Sequence, residues 1–336
     1  MLDFDKMIYV ISKFPDQRVQ VVGDVVLDEY LIGRAERLSR EAPIPVLELV
    51  ERKIIPGGAA NPAMNVRALG GETGLVGLVG NDDTGRELIA QLRAAELDAS
   101  GIIADDARRT TQKTRIIAQE FSRFPQQLAR LDRVDRFPPS EKIAAEIVMQ
   151  MKIAAPVSSA VLLSDYRNGM MTRSLVEAAI AACRDAGNLL IVDSQGELDK
   201  YRGCDVIRAN DRDVSAYLHR PLCTEADFEA ATAELLDTLD THGIVIGRGA
   251  DGVSLRGRRT PYHHFPAANP SEVFDVTGAG DTSVAVLALG IVSRLNLAEA
   301  AFLANVAAGL VVRKLGNATV SPEELRGAMA GVKRDA

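Results

Sequence analysis

Apolar and polar positions run along this chain in blocks, and the blocks change period. VQVVG at 19–23 is apolar almost throughout and ends in Gly before Asp24, the pattern of a strand buried on both faces. TGLVGLV at 73–79, SAVLL at 159–163, LLIV at 189–192, the segment 205–208 and GIVI at 243–246 repeat it. Longer stretches between them carry apolar residues every three or four positions. They predict helices at 84–95, 141–152, 171–186, near 211–218 and at 224–240. A hairpin-like stretch follows at 252–265, and helices at 281–292, 297–313 and 322–329 close the chain. PGGAANPAMNVRALGG at 56–71 opens as a Gly-rich turn and becomes helical, with Asn61 placed as N-cap and Pro62 as first helical residue. The last helix begins with Ser321 as N-cap, Pro322 after it and Glu324 as the reciprocal partner of a capping box.

Two segments break this rhythm. Residues 30–50 carry prolines at 43 and 45 and mixed polarity, which suits an edge-strand excursion better than a helix. Strand-like runs at 111–118 and 128–132 form a second excursion, 107–135. The alternation of strands and helices predicts an α/β fold with a mostly parallel central sheet and helices on both faces. The two excursions predict a small accessory sheet. No linker or internal repeat divides residues 1–336, so one domain is expected.

Composition narrows the function classes. With 47% apolar and 25% charged residues the chain can close a large core and is not disordered. A net charge of -7, no Trp and only 9 Phe and 6 Tyr give no reason to expect a nucleic-acid partner. Cys183, Cys204 and Cys223 form no short-spaced pair, and His219, His242, His263 and His264 have no zinc-site spacing. The N-terminus MLDFDKMIYVISKF lacks a signal-peptide core, and no run of eighteen uncharged apolar residues occurs. A cytoplasmic protein without a membrane partner is expected.

The sharpest chemical element is DVTGAGDT at 275–282. A strand-like approach, SEVFDV at 271–276, runs into Thr277-Gly278-Ala279-Gly280, and Asp281 and Thr282 open a helix of small residues. Glycines expose successive backbone N–H groups, and a helix N-terminus favours an anion there. Asp281 at the rim repels a phosphate but can take a proton from a hydroxyl attacking it. The plainer alternative is a loop with an acid in the first helical turn. GGAAN at 57–61 is a second Gly-rich turn, where Asn61 can bond a polyol or simply cap the helix, with Asn65 one turn along. Asp24 and Asp28 follow the first strand, where groups line the ligand crevice of an open α/β sheet. Either could equally be a solvated loop acid. The strand exit GDVVLD is not GxGxxG, and GxxxxGK[ST] is absent.

Taken together, PGGAANPAMN with its LGG and the distant DVTGAGDT resemble the ribokinase-like carbohydrate kinases of the PfkB class, over essentially the whole chain. Within that family the chain is similar to the heptose 7-phosphate kinases. The likeness lies in GDVVLDEYLIG (23–33), LSREAPIPV (38–46), TTQKTRI (110–116), QQLARLD (126–132), LSDYRNG (163–169) and NVAAGLVVRKLGNATVSP (305–322). The resemblance implies a ribokinase-like fold whose excursions form a β-sheet lid, often paired between subunits as a homodimer. It implies an ATP-dependent transfer of phosphate to the C1 hydroxyl of a sugar phosphate, with Mg2+. Asp281 matches the catalytic base, and Gly278, Ala279 and Gly280 match the anion hole. Asp28 and Asn61 match sugar-facing positions, with Asp24, Gly57 and Gly58 beside them. Asn210 to Asp213 match the segment facing the nucleotide phosphates and magnesium waters, with no direct metal ligand. Gly247 to Gly252 and Asn305 match the nucleotide pocket. Such kinases also form the first domain of bifunctional proteins; a chain ending near 336 is expected to carry the kinase alone.

Three positions depart from the pattern. The family's Asn-x-x-Glu reads Asn210-Asp211-Arg212-Asp213, and Asn168 and Gln195 stand where lysines are usual. An acceptor phosphate would then need other cations, and Arg202 and Arg208, with Arg167, are the expected ones. Two alternatives stay open from sequence: a PfkB-type kinase for another sugar, sugar phosphate or nucleoside, and a non-catalytic sugar-binding regulator on the same fold.

Overall fold

The computed structural model describes residues 2–119, 126–268, 276–314 and 318–335. Strand β1 (Val19–Gly23) lies inside the central sheet, between β4 (Gly74–Gly80) and β8 (Ala160–Asp165), and is parallel to both. On one side β5 (Asp98–Asp105) extends β4 in parallel. On the other, β8 is followed in parallel by β9 (Leu189–Ser194), β10 (Val206–Asn210) and β11 (Gly243–Gly247). An antiparallel hairpin, β12 (Val253–Gly257) and β13 (Thr260–Phe265), ends the sheet. The winding therefore reverses between β1 and β8, and a crevice opens beyond the strand ends at such a point.

Helices cover both faces, and each face has its own core. One core is built from α1 (Phe4–Ile11), α2 (Ala60–Ala68), α3 (Asp83–Ala94), α8 (Ala279–Val292), α9 (Leu297–Val311) and α10 (Pro322–Asp335). The other uses α4 (Glu141–Ala154), α5 (Arg173–Ala186), α6 (Asp211–Tyr217) and α7 (Glu225–Thr238). Helix α8 is apolar around its circumference from Val284 to Leu289 because α2, α9 and the sheet enclose it. The capping box expected at the last helix is present: Ser321 N–H donates to Glu324 (2.8 Å), and Glu324 N–H to Ser321 Oγ (3.2 Å).

The two excursions form a separate four-stranded sheet in the order β3-β2-β6-β7. Its strands are β2 (Val25–Leu38), β3 (Pro45–Gly58), β6 (Gln112–Gln119) and β7 (Gln126–Arg133). The hairpin is longer than the expected 30–50, because pairing continues down to Val25 opposite Gly58. Pro45 opens β3, an edge strand, where a missing ladder donor costs little. Helix α1 and strand β5 have no counterpart among the sequence-based assignments. The strand expected at 271–276 lies, apart from Val276, outside the described residues. Among the described residues no helix is long and apolar enough to cross a membrane.

Candidate active site

The site begins with two glycines whose freedom is required. A side chain on Gly57 would put Cβ 2.0 Å from Asp28 Oδ2, and one on Gly58 would put it 2.2 Å from the Asp24 carbonyl. Gly58 also has φ +59°, a region that L side chains rarely adopt. The turn can therefore close on β1 and β2, and it delivers α2 end-on to the crevice. The cap differs from the expected one. Ala59 is the N-cap, with no side-chain capping bond, and Asn61 sits inside the first turn. Its side chain is thereby freed from capping, and Nδ2 donates to Asp281 Oδ2 at 3.1 Å. Asn65 donates to the Asn61 carbonyl (3.0 Å) and accepts from Thr282 Oγ1 (2.8 Å), which locks α2 to the start of α8.

Asp281 is buried at the mouth of α8. Its Oδ1 accepts from the Tyr166 hydroxyl, so both carboxylate oxygens are held by donors. Burial pushes its carboxyl up to about 7, and the neighbouring Asp193 adds to this; Tyr166, Asn61 and Arg208 oppose it. Gly278 caps α8 with φ +78°. The N–H of Ala279 turns back to the Val276 carbonyl (3.3 Å), while those of Gly280 and Asp281 precede the first intrahelical bond, from Thr282 N–H to Gly278 (2.9 Å). Such donors at a helix start suit an anion.

On one side of Asp281 lies a cavity of about 580 Å3. Val253, Ala267, Ala268, Val276, Ala308 and Val312 line an apolar part; Asn305, Gly247 and Gly252 border it. Arg208, Asn210, Arg212, Arg248 and Gly280 line the polar part, with Asp211 and Ser283 among them. An apolar slot continuous with cations and a helix N-terminus fits a flat base carrying a polyanionic tail. Asp213 does not line this cavity. It exchanges hydrogen bonds with Asn210 across the start of α6 (2.6 and 2.8 Å) and lies near Arg167.

On the other side lies a polar corner. Asp24 Oδ2 accepts from the N–H groups of Tyr166 (2.9 Å) and Asn168 (3.0 Å). Burial and the adjacent Asp165 push the Asp24 carboxyl up to about 7. Asp28 is ion-paired at 2.6 Å with Arg115 on β6 of the small sheet. Two buried atoms here, Asn61 Oδ1 and Asn168 Nδ2, have no hydrogen-bond partner. Buried polar atoms are normally satisfied, so a ligand with hydroxyls that donate and accept fits this corner.

The expected phosphate-binding arginines are placed differently. Arg208 pairs with Asp193 at 2.5 Å and lies between Gly247 and Gly280, whose added Cβ atoms would be 3.3 and 3.2 Å from its Nη2. It lines the 580 Å3 cavity, beside the start of α8. Arg202 is exposed, where the chain returns to the opposite end of the sheet: the next residue, Gly203, bonds the Leu239 carbonyl at the end of α7. Parallel strands force this return, so Arg202 leaves the crevice. Arg167 faces a neighbouring cavity of about 490 Å3 with Arg136, Lys200 and Glu197, and is paired with Glu197 at 3.4 Å.

The residues 16–324 match the family described as pfkB family carbohydrate kinase. The chain belongs to the PfkB carbohydrate kinase family. It is 39% identical over 315 residues to the protein named bifunctional protein HldE of Geobacter metallireducens, covering 94% of this chain and 63% of that one. To the HldE of Hyphomonas neptunium it is 38% identical over 322 residues, with coverages of 96% and 65%. The chain thus spans a little under two thirds of the length of these curated relatives. In fold it is similar to Escherichia coli phosphofructokinase-2, with a TM-score of 0.77 at 19% identity, covering 95% of this chain and 100% of that one. It is also similar to Arabidopsis thaliana ribokinase, with a TM-score of 0.72 at 20% identity and coverages of 93% and 98%. These likenesses establish the ribokinase-like α/β fold of this PfkB member.

Sequence reasoning did not single out Tyr166, Asp193, Arg115 or Lys113. Each lies in a segment used for the family likeness or beside it, yet nothing local marks it. The signal available was positional: Tyr166 and Asp193 stand at the exits of strands that end in the crevice.

Proposed function

We propose that the protein transfers the γ-phosphoryl group of ATP to the C1 hydroxyl of heptose 7-phosphate, with Asp281 taking the hydroxyl proton. The observation that carries the reading is the position of Asp281. It stands between a cavity suited to a nucleotide and a polar corner with unsatisfied hydrogen-bonding atoms. A sugar held by Asp24, Asp28 and Asn61 presents its hydroxyl to Asp281. The attacking oxygen forms its bond to phosphorus, the bond to the bridging oxygen breaks, and the proton passes to the carboxylate. The N–H groups at the start of α8 and the Arg208 guanidinium meet the charge that develops on the transferring group.

Magnesium would bring charge neutralisation to the triphosphate. Among the described residues no cluster of three or more His, Cys, Asp and Glu exists to cage an ion. Asn210, which lines the cavity and is bonded to Asp213, would meet the waters of a magnesium held mainly by the nucleotide's own phosphates.

The heptose 7-phosphate assignment is supported by the likeness to the HldE proteins and by two cations. Lys113, on the lid strand β6, sits 5.4 Å from the Tyr166 ring centroid. Arg136 lines the neighbouring cavity. Among the described residues neither has a carboxylate partner, so an acceptor's phosphate can neutralise them without breaking an ion pair. The test is a panel of heptose 7-phosphate, heptose, fructose 6-phosphate, ribose and adenosine. Heptose 7-phosphate is expected to give the highest kcat/KM, at least about tenfold above heptose, the gain of roughly 1.4 kcal/mol from one charge-assisted contact. Equal values for heptose and its phosphate would defeat the sugar-phosphate assignment and leave the kinase reading standing. No ATP turnover with any acceptor would favour the sugar-binding regulator.

The lid also supports pairing between two copies. Among the described residues its edge strands β3 and β7 pair on one side only, and Leu38, Ile44, Leu49, Val50, Leu128 and Leu131 are exposed on it. Open edges beside apolar side chains are templates for association. Sedimentation at micromolar concentration should give a dimer, and a charge at Leu49 or Leu131 should convert it to monomer. A monomeric wild type would overturn this.

A further inference from the structure

The turn after β8 reaches both halves of the site. The backbone N–H groups of Tyr166 and Asn168 hold Asp24 Oδ2 on the acceptor side, and that of Arg167 holds Asp165 Oδ1 at 2.7 Å. Arg167 adopts φ +58°, a conformation tolerated where surrounding bonds over-determine it. The Tyr166 ring is therefore aimed by a fixed backbone, and the Lys113 ammonium lies over it from the lid. Its hydroxyl ends on Asp281 Oδ1, opposite the Asn61 amide on Oδ2.

We propose that Tyr166 is a positioning residue for the transfer: its hydroxyl and the Asn61 amide clamp the two oxygens of Asp281 in the orientation that receives the acceptor's proton. The inference rests on Asp281 acting as the base. A carboxylate oxygen has two lone pairs, so each clamped oxygen keeps one for the incoming hydroxyl. The clamp restricts rotation of the carboxylate plane, which a buried acid without donors would not resist. Tyr166 keeps its own proton throughout. Burial and the negative neighbours Asp281 and Asp193 hold its hydroxyl well above the ordinary tyrosine range.

The same clamp acts on ionisation. Facing Asp281 are Asp193 from β9, Arg208 from β10, Asn61 from α2 and Tyr166 from the β8 turn; facing Tyr166 there is also Lys113 from the lid. Hydrogen bonding to the charged form favours it, so the Tyr166 hydroxyl draws the Asp281 carboxyl down against its burial. Without that hydroxyl the carboxyl titrates at higher pH. A base must be ionised, so activity is then lost at a higher pH as the solution is acidified.

The test is the pH profile of kcat for Tyr166→Phe, with the best acceptor of the panel and saturating ATP. The ring, its backbone bonds and the Lys113 contact are retained. The acid limb should move to higher pH by about one unit, kcat at pH 7 should fall about fivefold, and the deficit should shrink above pH 9. KM for ATP should stay within about twofold. A second arm places 3-fluorotyrosine at position 166, a stronger donor of nearly the same size, and should move the limb to lower pH. If neither replacement moves the limb, Tyr166 is structural and the inference fails, whatever the change in kcat. Asp281→Asn measured alongside separates the levels: full activity there would overturn the base and the clamp together, whereas its loss with an unmoved limb overturns the clamp alone.

Discussion

Asp281→Asn should leave ATP and sugar binding within about threefold and lower kcat by roughly two to four orders of magnitude, the usual worth of a general base. The amide occupies the same space and can still meet Tyr166 and Asn61, so binding geometry survives and only proton acceptance is lost. In the wild type, kcat should rise with pH through an acid limb near 7, where the buried carboxyl ionises. The same burial predicts a stability cost. The folded-state value is raised from 3.8 to about 7, so the acid favours folding fully only below its unfolded value, and this is lost as pH rises through 7. Asp281→Asn should therefore be more stable than wild type at pH 8, by about 4 kcal/mol from this shift, with the advantage vanishing near pH 4. Thermal melts at the two pH values and a steady-state assay check both halves. A kcat within threefold of wild type would sink the assignment.

Gly280→Val should reduce kcat on the order of a hundredfold and raise KM for ATP. The glycine lies where the polar end of the large cavity meets the start of α8. An added Cβ alone would stand 3.2 and 3.4 Å from the Arg208 nitrogens, a tight but adjustable contact. The two methyl groups of Val extend further into the space a phosphate would use and press Arg208 away from Asp193. Losing one donor to developing charge costs about 3 kcal/mol, which is the basis for the hundredfold figure. Gly280→Ala should be milder, because only the adjustable contact is added. Circular dichroism and a melting curve must accompany the kinetics, since the change also touches the helix start. A folded Gly280→Val enzyme with ordinary kcat would show that the start of α8 does not contact the transferring group.

Much of the site could be read from the chain where one segment holds the information. The Gly57-Gly58 turn and the Gly278-Ala279-Gly280 turn each combine a backbone requirement with a helix start a few residues away. Asp281 follows from its motif in the same way. Asn61 shows the limit of this reasoning. An amide before Pro62 is a good N-cap, yet the helix begins two residues earlier than expected, and the side chain goes to an acid 220 positions away. Asn210 and Asp213 show the reverse: the local capping exchange does form, and Asp213 stays outside the cavity lining.

The sequence by itself determined the alternation of buried strands and helices, the two excursions that build the small sheet, the Gly turns and the family. Period, turn chemistry and capping act over a few residues, and motifs survive as contiguous text. Only the tertiary structure decided which charges share the crevice. Winding in both directions from β1 sets β8 beside it, so Tyr166 meets Asp281 across 115 positions. The neighbouring register of β9 and β10 sets Asp193 beside Arg208. Parallel connections carry Arg202 to the far end of the sheet, although it stands only six positions before Arg208. Strand order and register are fixed by burying both sheet faces at once, a property of the whole chain that no local window contains.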